Sequence, residues 1–375
     1  METELKEKLS INKTYWSPVK FGDVAFEPKE NAKDIYNEGI EHVVGLEHID
    51  SENIHLTRSG ALEKTTTFSK KFRKGDVLFG RRRAYLKKAA LASFDGICSG
   101  DITVFRAKKN LLPELLPFIV NNEKFFDHAV KHSAGGLSPR VKFKDLANFE
   151  FLLPPKDQQA KLAELLWAMD EVIECDRKLL SFQEQYILSY SKSIFSGEGK
   201  QKELKNIGLL IMGQSPSGST YNEIGEGMPF LQGNAEFGAT HPSHTKYTTA
   251  PNKIVRANTI LISVRAPVGD INLADKEYCI GRGLAGLFIE NETMRNYIYN
   301  FLKYSKNELE KNSTGSTFKA INKDVLSSLK CVIPENEKLM SASNKLKSIY
   351  SSKEIIESRI TSSKSLQKSI INQIF

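Results

Sequence analysis

The last 63 residues of this 375-residue chain, Ser313 to Phe375, lie without a gap over Ser133 to Phe195 at a constant offset of 180. Each copy runs from a loop of small and basic residues, through a short apolar strand ending in Pro, into a long amphipathic helix that closes on Ile-Phe. Gly135 falls on Gly315, Val141 on Ile321, Leu146 on Leu326, Pro154 on Pro334 and Phe195 on Phe375. Weaker echoes lie upstream: the run from Phe72 to Phe79 resembles that from Val255 to Ile262, and Ser99-Gly100-Asp101 resembles Arg282-Gly283-Leu284. Two apolar helices align easily by chance. A shared loop, a shared Pro and a shared ending do not, so the repeat predicts two equivalent modules.

At 375 residues two to three domains are expected, and each half is long enough to bury its own core. The balance of 53 Lys+Arg against 45 Asp+Glu gives +8 and a pI of about 9.0, which permits a polyanionic partner. Lys70, Lys71, Arg73, Lys74, Arg81, Arg82, Arg83, Lys87 and Lys88 crowd one stretch opposed only by Asp76, interleaved with Phe72, Val77, Leu78, Phe79 and Tyr85. That interleaving predicts a strand and turn carrying the cations as an ordered patch. Cys98, Cys175, Cys279 and Cys331 form no CxxC pair and read as small buried hydrophobes in a reducing compartment. No apolar signal core or membrane-length run is visible, so a soluble cytoplasmic chain is expected.

Residues 16–152 hold short β-rich runs and a helix expected near Leu111 to His132. After Pro154-Pro155, apolar residues recur at Leu162, Leu165, Leu166, Met169, Val172, Ile173, Leu179, Leu180, Tyr186, Ile187, Tyr190 and Ile194, in the steps of three and four that mark a coiled-coil helix. The second copy carries a thinner stripe of Leu346, Ile349, Ile356, Ile360, Leu366, Ile370, Ile371 and Ile374. A helix of about 40 residues spans about 60 Å, longer than a small globular body needs. Its cheapest partner is its own repeat, since about ten apolar side chains at 1.5–3 kcal/mol each offset the ordering of two rods. The fold expected is mixed α+β: two α/β bodies with a pseudo-twofold internal repeat, joined by a pair of long antiparallel coiled-coil helices. The expected segments are 1–152, 153–197, 198–332 and 333–375, alternating body and helix.

The run Gly213-Gln214-Ser215-Pro216-Ser217-Gly218-Ser219-Thr220-Tyr221-Asn222, followed by Gly227-Met228-Pro229-Phe230-Leu231-Gln232-Gly233-Asn234, closely resembles the opening of target-recognition domains in specificity subunits of type I restriction-modification enzymes. Leu152-Leu153-Pro154-Pro155-Lys156-Asp157-Gln158-Gln159 with its helix resembles the conserved spacer of the same family. The first body departs from this, having Trp16-Ser17-Pro18-Val19-Lys20 at its start instead of the Gly-Gln-Ser-Pro run. The resemblance implies a non-catalytic subunit with two recognition domains that read a split, asymmetric site in double-stranded DNA. It implies as partners two methyltransferase subunits and, in the full complex, restriction subunits. Those partners, not this chain, would carry S-adenosylmethionine, ATP and Mg2+. If the two bodies lie on the same face of the duplex, the half-sites would be centred about one helical turn of DNA apart.

DNA binding needs Lys and Arg for phosphates and Arg, Asn, Gln, Ser or Thr for base edges. The candidates in the first half are Arg81, Arg82, Arg83, Tyr85, Lys87 and Lys88, with Ser138, Arg140 and Lys142 in the repeat loop. In the second half they are Gln214, Ser215, Ser217, Thr220, Tyr221, Gln232, Asn234, Arg265, Thr317 and Lys319. Gly135, Gly136 and Gly213 would permit positive φ and close approach of backbone to a phosphate. Catalytic patterns fail individually. Gly281-Arg282-Gly283-Leu284-Ala285-Gly286 fits G-x-G-x-x-G but leads into a strand where a dinucleotide site needs a helix. His128 and His132 lack the Glu of H-E-x-x-H, and no metal is expected. Two rival readings are an enzyme with an unfamiliar site, methyltransferase or nuclease, and a coiled-coil adaptor whose bodies bind protein.

Overall fold

The structure is a computed structural model that describes residues 12–63, 66–311, 313 and 320–375. The chain divides into two compact units, Met1–Arg177 with Arg359–Phe375, and Lys178–Ser358. Each unit therefore holds one sheet-bearing lobe, the start of one long helix and the end of the other.

In the first lobe the continuous apolar run Val77-Leu78-Phe79 makes β5 (Val77–Gly80), buried along its whole length. A strand without polar alternation belongs in the middle of a sheet. It sits between β6 (Ala89–Leu91) and β8 (Ile102–Ala107), with β2 (Ala25–Phe26) beyond, giving the antiparallel order β2-β8-β5-β6. A three-stranded sheet packs β7 (Gly96–Cys98) between β3 (Val43–Val44), parallel to it, and β4 (Lys70–Phe72), antiparallel. β1 (Ser17–Lys20) pairs with β9 (Glu150–Leu153), tying the lobe's start to its end.

The second lobe repeats every one of these pairings. β11 (Leu209–Met212), β19 (Leu284–Phe288), β16 (Thr259–Ser263) and β17 (Ile271–Leu273) form the order β11-β19-β16-β17. β18 (Tyr278–Ile280) lies between β13 (Met228–Leu231), parallel, and β15 (Ile254–Val255), antiparallel, while β10 (Lys200–Glu203) pairs with β20 (Lys330–Ile333). The addition is a pair of outer strands, β12 (Tyr221–Asn222) and β14 (Lys246–Thr248), on the β13 edge. The turns entering β5 and β16 match too: Gly75 and Asn258 both sit at positive φ, the region that Gly tolerates freely and Asn better than most.

The ladders also correct one sequence match. Ile102 pairs with Gly80, and Leu284 with Ser263. Asp101 is therefore equivalent to Gly283, one residue away from the Leu284 that the sequence echo set against it.

The long helices are Lys156–Phe195 and Asn336–Ile374. Within the first unit Arg359 donates to Asp176 and Gln367 reaches the Leu166 carbonyl; within the second, Gln183 reaches the Ile349 carbonyl and Lys338 approaches Glu198. Partner numbers fall as helix numbers rise, so the helices run antiparallel in both units. Leu166 is buried with Ile370, Ile371, Ile374 and Phe375 in the first lobe's core, and Ile173 is buried one heptad further along; Phe195, Leu339, Ala342 and Leu346 join the core of the second. Not all of the expected stripe is seam. Leu165, Val172, Leu179 and Tyr186 recur every seven residues on another face and are 43%, 52%, 45% and 45% exposed, as is Leu366 at 50%. Steps of seven from Leu166 lead into the seam, whereas the same steps from Leu165 lead around it.

Two smaller expectations are also corrected. The stretch from Leu111 to His132 is two short helices, Leu116–Val120 and Glu123–Lys131, because Asn122 starts the second by capping Lys124 N–H. Cys98, Cys279 and Cys331 are buried as expected, but Cys175 is exposed.

Candidate nucleic-acid interface

In the first lobe the chain leaving β5 meets the repeat loop edge to edge. Arg82 and Arg140 form an antiparallel bridge, Arg83 N–H donates to the Pro139 carbonyl at 2.8 Å and Val141 N–H to the Arg81 carbonyl at 3.0 Å. The loop itself closes between Ala134 and Arg140 and turns through Gly135 at φ +114°, which puts Leu137 at its tip 97% exposed. This union gathers Arg81, Arg82, Arg83, Ser138 and Arg140. Arg82 donates to Asp101 at 3.2 Å and to Ser138 Oγ at 3.0 Å, while its Nε is buried without a partner among the described residues. Arg140 Nε donates to the other oxygen of Asp101 at 2.7 Å. Partial burial opposes ionisation of Asp101, but the hydrogen bonds from Arg140 and Arg82 hold its carboxyl below the usual range. Arg81 Nε is used on the Val141 carbonyl. Tyr85 is half-exposed on the turn that follows, and Lys142 is exposed just beyond Arg140 at the start of a short helix.

The rest of the basic run is not one patch. Lys70 pairs with Glu27 at 3.0 Å, Lys71 with Glu38, Arg73 with Glu30 at 2.9 Å and Lys87 with Glu123, while Lys88 donates to the Leu46 carbonyl at 2.7 Å. The expected patch therefore contracts to the arginines around the loop. The acids that pair with Lys70, Lys71, Arg73 and Lys87 are distant in sequence and arrive only through folding.

In the second lobe the Gly-Gln-Ser-Pro run packs on the Gly281-Arg282-Gly283 turn between β18 and β19. Gln214 N–H donates to the Ile280 carbonyl, Ser215 Oγ to Gln232 Oε1 at 3.2 Å, and Arg282 N–H to Ser215 Oγ at 3.2 Å. Gly213 is required here for packing rather than for positive φ: a Cβ would stand 2.1 Å from the Gly281 carbonyl oxygen. Ser217 and Thr220 belong to a neighbouring turn, with Thr220 bonded to the Ser217 carbonyl and to Thr248 Oγ1, and Tyr221 stacks on Phe230 while its hydroxyl donates to the Pro216 carbonyl. Asn234 is drawn aside to Asp270, which also pairs with Lys306. Arg265 is exposed and bridges Ala320, the same bridge as Arg82 with Arg140. Thr317 and Lys319 lie outside the described residues.

Asp101 and the exposed Arg282 were missed by sequence reasoning. The echo between residues 99–101 and 282–284 was the available signal, but only the strand register aligns it. Gly281 to Gly283 is a turn and Leu284 to Gly286 already belong to β19, and the helix histidines cap: His128 contacts the Asp145 carbonyl and His132 the His128 carbonyl. Among the described residues one cluster brings metal-type donors together, His55, Asp170 and Glu174. There His55 Nε2 and Asp170 lie 2.6 Å apart and Arg177 holds Glu174, the geometry of an ion-pair chain.

Residues 14–181 and 197–363 each match the family model described as the type I restriction modification DNA specificity domain. A putative type I restriction enzyme specificity subunit, MjaX, of Methanocaldococcus jannaschii is 31% identical over 340 residues, covering 82% of this chain and 80% of its own. A chain from a structure of complex assembly and conformational transition in the type I R-M system superposes with a TM-score of 0.64 at 30% identity, over 96% of this chain and 97% of its own. The S subunit of a type I restriction-modification system from M. genitalium shares the fold at a TM-score of 0.63 and 16% identity, over 98% of both chains. The chain belongs to the family of type I restriction-modification specificity subunits. No described helix is long and apolar enough to cross a membrane.

Proposed function

We propose that this chain reads a bipartite, asymmetric site in double-stranded DNA and performs no catalysis of its own. Each recognition domain, 1–152 and 198–332, takes one half-site, and the helices at 153–197 and 333–375 receive two methyltransferase subunits, with restriction subunits in the full complex. S-adenosylmethionine, ATP and Mg2+ belong to those partners, and the assembly works in the cytoplasm. The observation that carries this reading is the repeated sheet order under unlike loops: the same strand pairings present Arg82, Ser138 and Arg140 in one lobe and Gln232, Arg265 and Arg282 in the other. Two readers of one construction but different side chains suit two different half-sites.

Partner docking is supported by apolar surface that the helix seam leaves open. Leu165 and Val172 in the first unit, and Leu179, Phe182 and Tyr186 in the second, line one face of the first long helix with Phe182 68% exposed. Exposed apolar surface of this kind marks interaction sites. One step along the repeat, the second helix carries Lys345, Ser352, Arg359, Ser362 and Leu366, so the two docking faces are related but unequal.

The test pairs the full chain with its methyltransferase subunits and reads which sequences become methylated. A split motif is expected. Inserting seven residues into both helices adds about 10 Å of rod, or about three base pairs of unread spacer at 3.4 Å each, with both half-sites kept. An unchanged spacer would refute the helix pair as a ruler, and the absence of any preferred sequence would refute DNA reading.

A further inference from the structure

We propose that Arg140 is the base-reading arginine of the first lobe, that Asp101 and Arg82 position it, and that Arg265 anchors a phosphate in the second lobe. This rests on the DNA-reading function proposed above. Three features of the first lobe carry it. Asp101 accepts from Arg140 Nε with one oxygen and from Arg82 with the other, so a single carboxylate fixes both guanidinium groups. Arg82 has its Nε buried and both Nη groups engaged, one on Asp101 and the other on Ser138 Oγ. Arg140 is 46% exposed, and among the described residues only its Nε is engaged, which leaves the edge bearing both Nη groups open.

An arginine held on its Nε side presents two parallel donors in a fixed plane. That is what bidentate recognition of guanine O6 and N7 needs, and it is the commonest specific contact to a base edge. Holding the side chain still before binding also removes the entropy cost of ordering it on DNA. A phosphate, by contrast, accepts a cation from many directions and asks for no such support.

The second lobe changes the same site at the reading position and at the supporting carboxylate, and keeps an arginine at the third position. Arg265 takes the place of Arg82, Ala320 that of Arg140, and Gly283 that of Asp101. Arg265 is exposed, no carboxylate pairs with it among the described residues, and the stretch from Thr314 to Lys319 contains no acid. Its guanidinium keeps the charge without the buttress. The bridged backbone pair is thus one socket used twice, offering a fixed arginine from the loop strand in one lobe and a free arginine from the hairpin strand in the other.

Selection from a duplex DNA pool randomised over both half-sites, with the full chain in its methyltransferase complex, tests the assignment. Arg140→Lys keeps the charge and should flatten preference at one guanine position of one half-site by about ten- to a hundredfold, leaving the salt dependence of binding unchanged. Asp101→Asn should relax that same position. Arg265→Ala should weaken all sequences alike and reduce the slope of log affinity against log salt by about one. If wild type selects a split motif and Arg140→Lys retains every preference, the assignment is overturned while DNA reading stands. If Arg265→Ala instead changes a base preference, the phosphate role is overturned. A wild type that selects no motif would sink the underlying reading itself.

Discussion

The two lobes share every core strand pairing yet build their cores differently. In the first, rings from within the lobe form a connected cage: Phe21 meets Phe105 and Phe125, Phe79 stacks on Phe105 and Phe126, and Phe125 meets Phe149. The arriving helix end adds Phe375, whose one ring contact among the described residues is Phe151 at 6.0 Å. In the second lobe the arriving ring is central. Phe195 lies 5.2 Å from Tyr297 and 5.4 Å from both Phe301 and Tyr304. Sheet order follows from where apolar runs and turns fall along the chain, and duplication preserved that; the filling between the elements was free to drift. One lobe therefore closes on its own rings, whereas the other depends on a side chain delivered by a helix that starts elsewhere.

The sharpest way to break this contrast is truncation of the two helix-end rings. Phe195→Ala removes a buried ring with three aromatic neighbours and should cost about 3–5 kcal/mol in the second unit. Phe375→Ala, at a helix end with one ring neighbour, should cost less in the first. The units report separately: both tryptophans, Trp16 and Trp167, lie in the first, so their fluorescence follows its urea unfolding. Amide exchange of β16 and β19 follows the second. Equal losses from the two substitutions would show that the aromatic cage does not make the first lobe self-sufficient.

Much of this architecture is legible in the sequence, for a physical reason visible at single residues. Val77-Leu78-Phe79 reads as a strand and Ile260-Leu261-Ile262 echoes it, and the structure buries both at the centre of their sheets, entered through turns at Gly75 and Asn258. The helices read as long and paired because a stripe of that length has to be covered. Which face is covered was not legible, since Leu165 and Leu166 are chemically alike and only the partner's position separates them. The DNA-facing candidates were legible as loops but not as pairs: Asp101, 39 residues before Arg140, enters the cluster through strand register alone. The same holds for Glu27, Glu30 and Glu38, which take cations out of what reads as an open basic run.

Helix starts give a second, smaller contrast. Asn122 and Asn291 each cap a helix of their lobe, accepting from Lys124 N–H at 2.7 Å and Met294 N–H at 2.8 Å. Asn291 is exposed, but Asn122 is fully buried and also donates through Nδ2 to the Ile371 carbonyl of the second long helix. Asn291→Ala should therefore cost about 1 kcal/mol, and Asn122→Ala about 2 kcal/mol because it also removes a second, buried hydrogen bond to the Ile371 carbonyl, which keeps that from Phe375 N–H. Asn122→Asp restores the cap without the second donor and should fall between them. If Asn122→Asp proved as stable as wild type, the bond to Ile371 would be contributing nothing.

The smallest contrast is one of sign. In the first lobe the hydrogen bond that His55 donates to Asp170, opposed by partial burial, raises the pKa of His55; Glu174 adds to the rise and Arg177 subtracts from it. In the second, burial lowers the pKa of His244, helped by Lys276 and opposed by Asp275. A raised pKa means the folded state binds the proton more tightly, so the His55 contribution is fully present below the unfolded value of about 6.5 and is lost as pH rises through the folded value. His244 is the reverse: its contribution is present above about 6.5 and is lost as pH falls through its lowered value. Each effect should stay below about 1 kcal/mol, since both rings are partly solvated. Comparing wild type with His55→Gln by tryptophan-detected urea unfolding should show their difference shrinking from pH 6 to pH 8. Comparing wild type with His244→Gln by exchange at β18 should show the variant gaining relative to wild type from pH 7 to pH 5. A common slope in both units would mean that His55 and Asp170 meet only as neighbours, with no proton held between them.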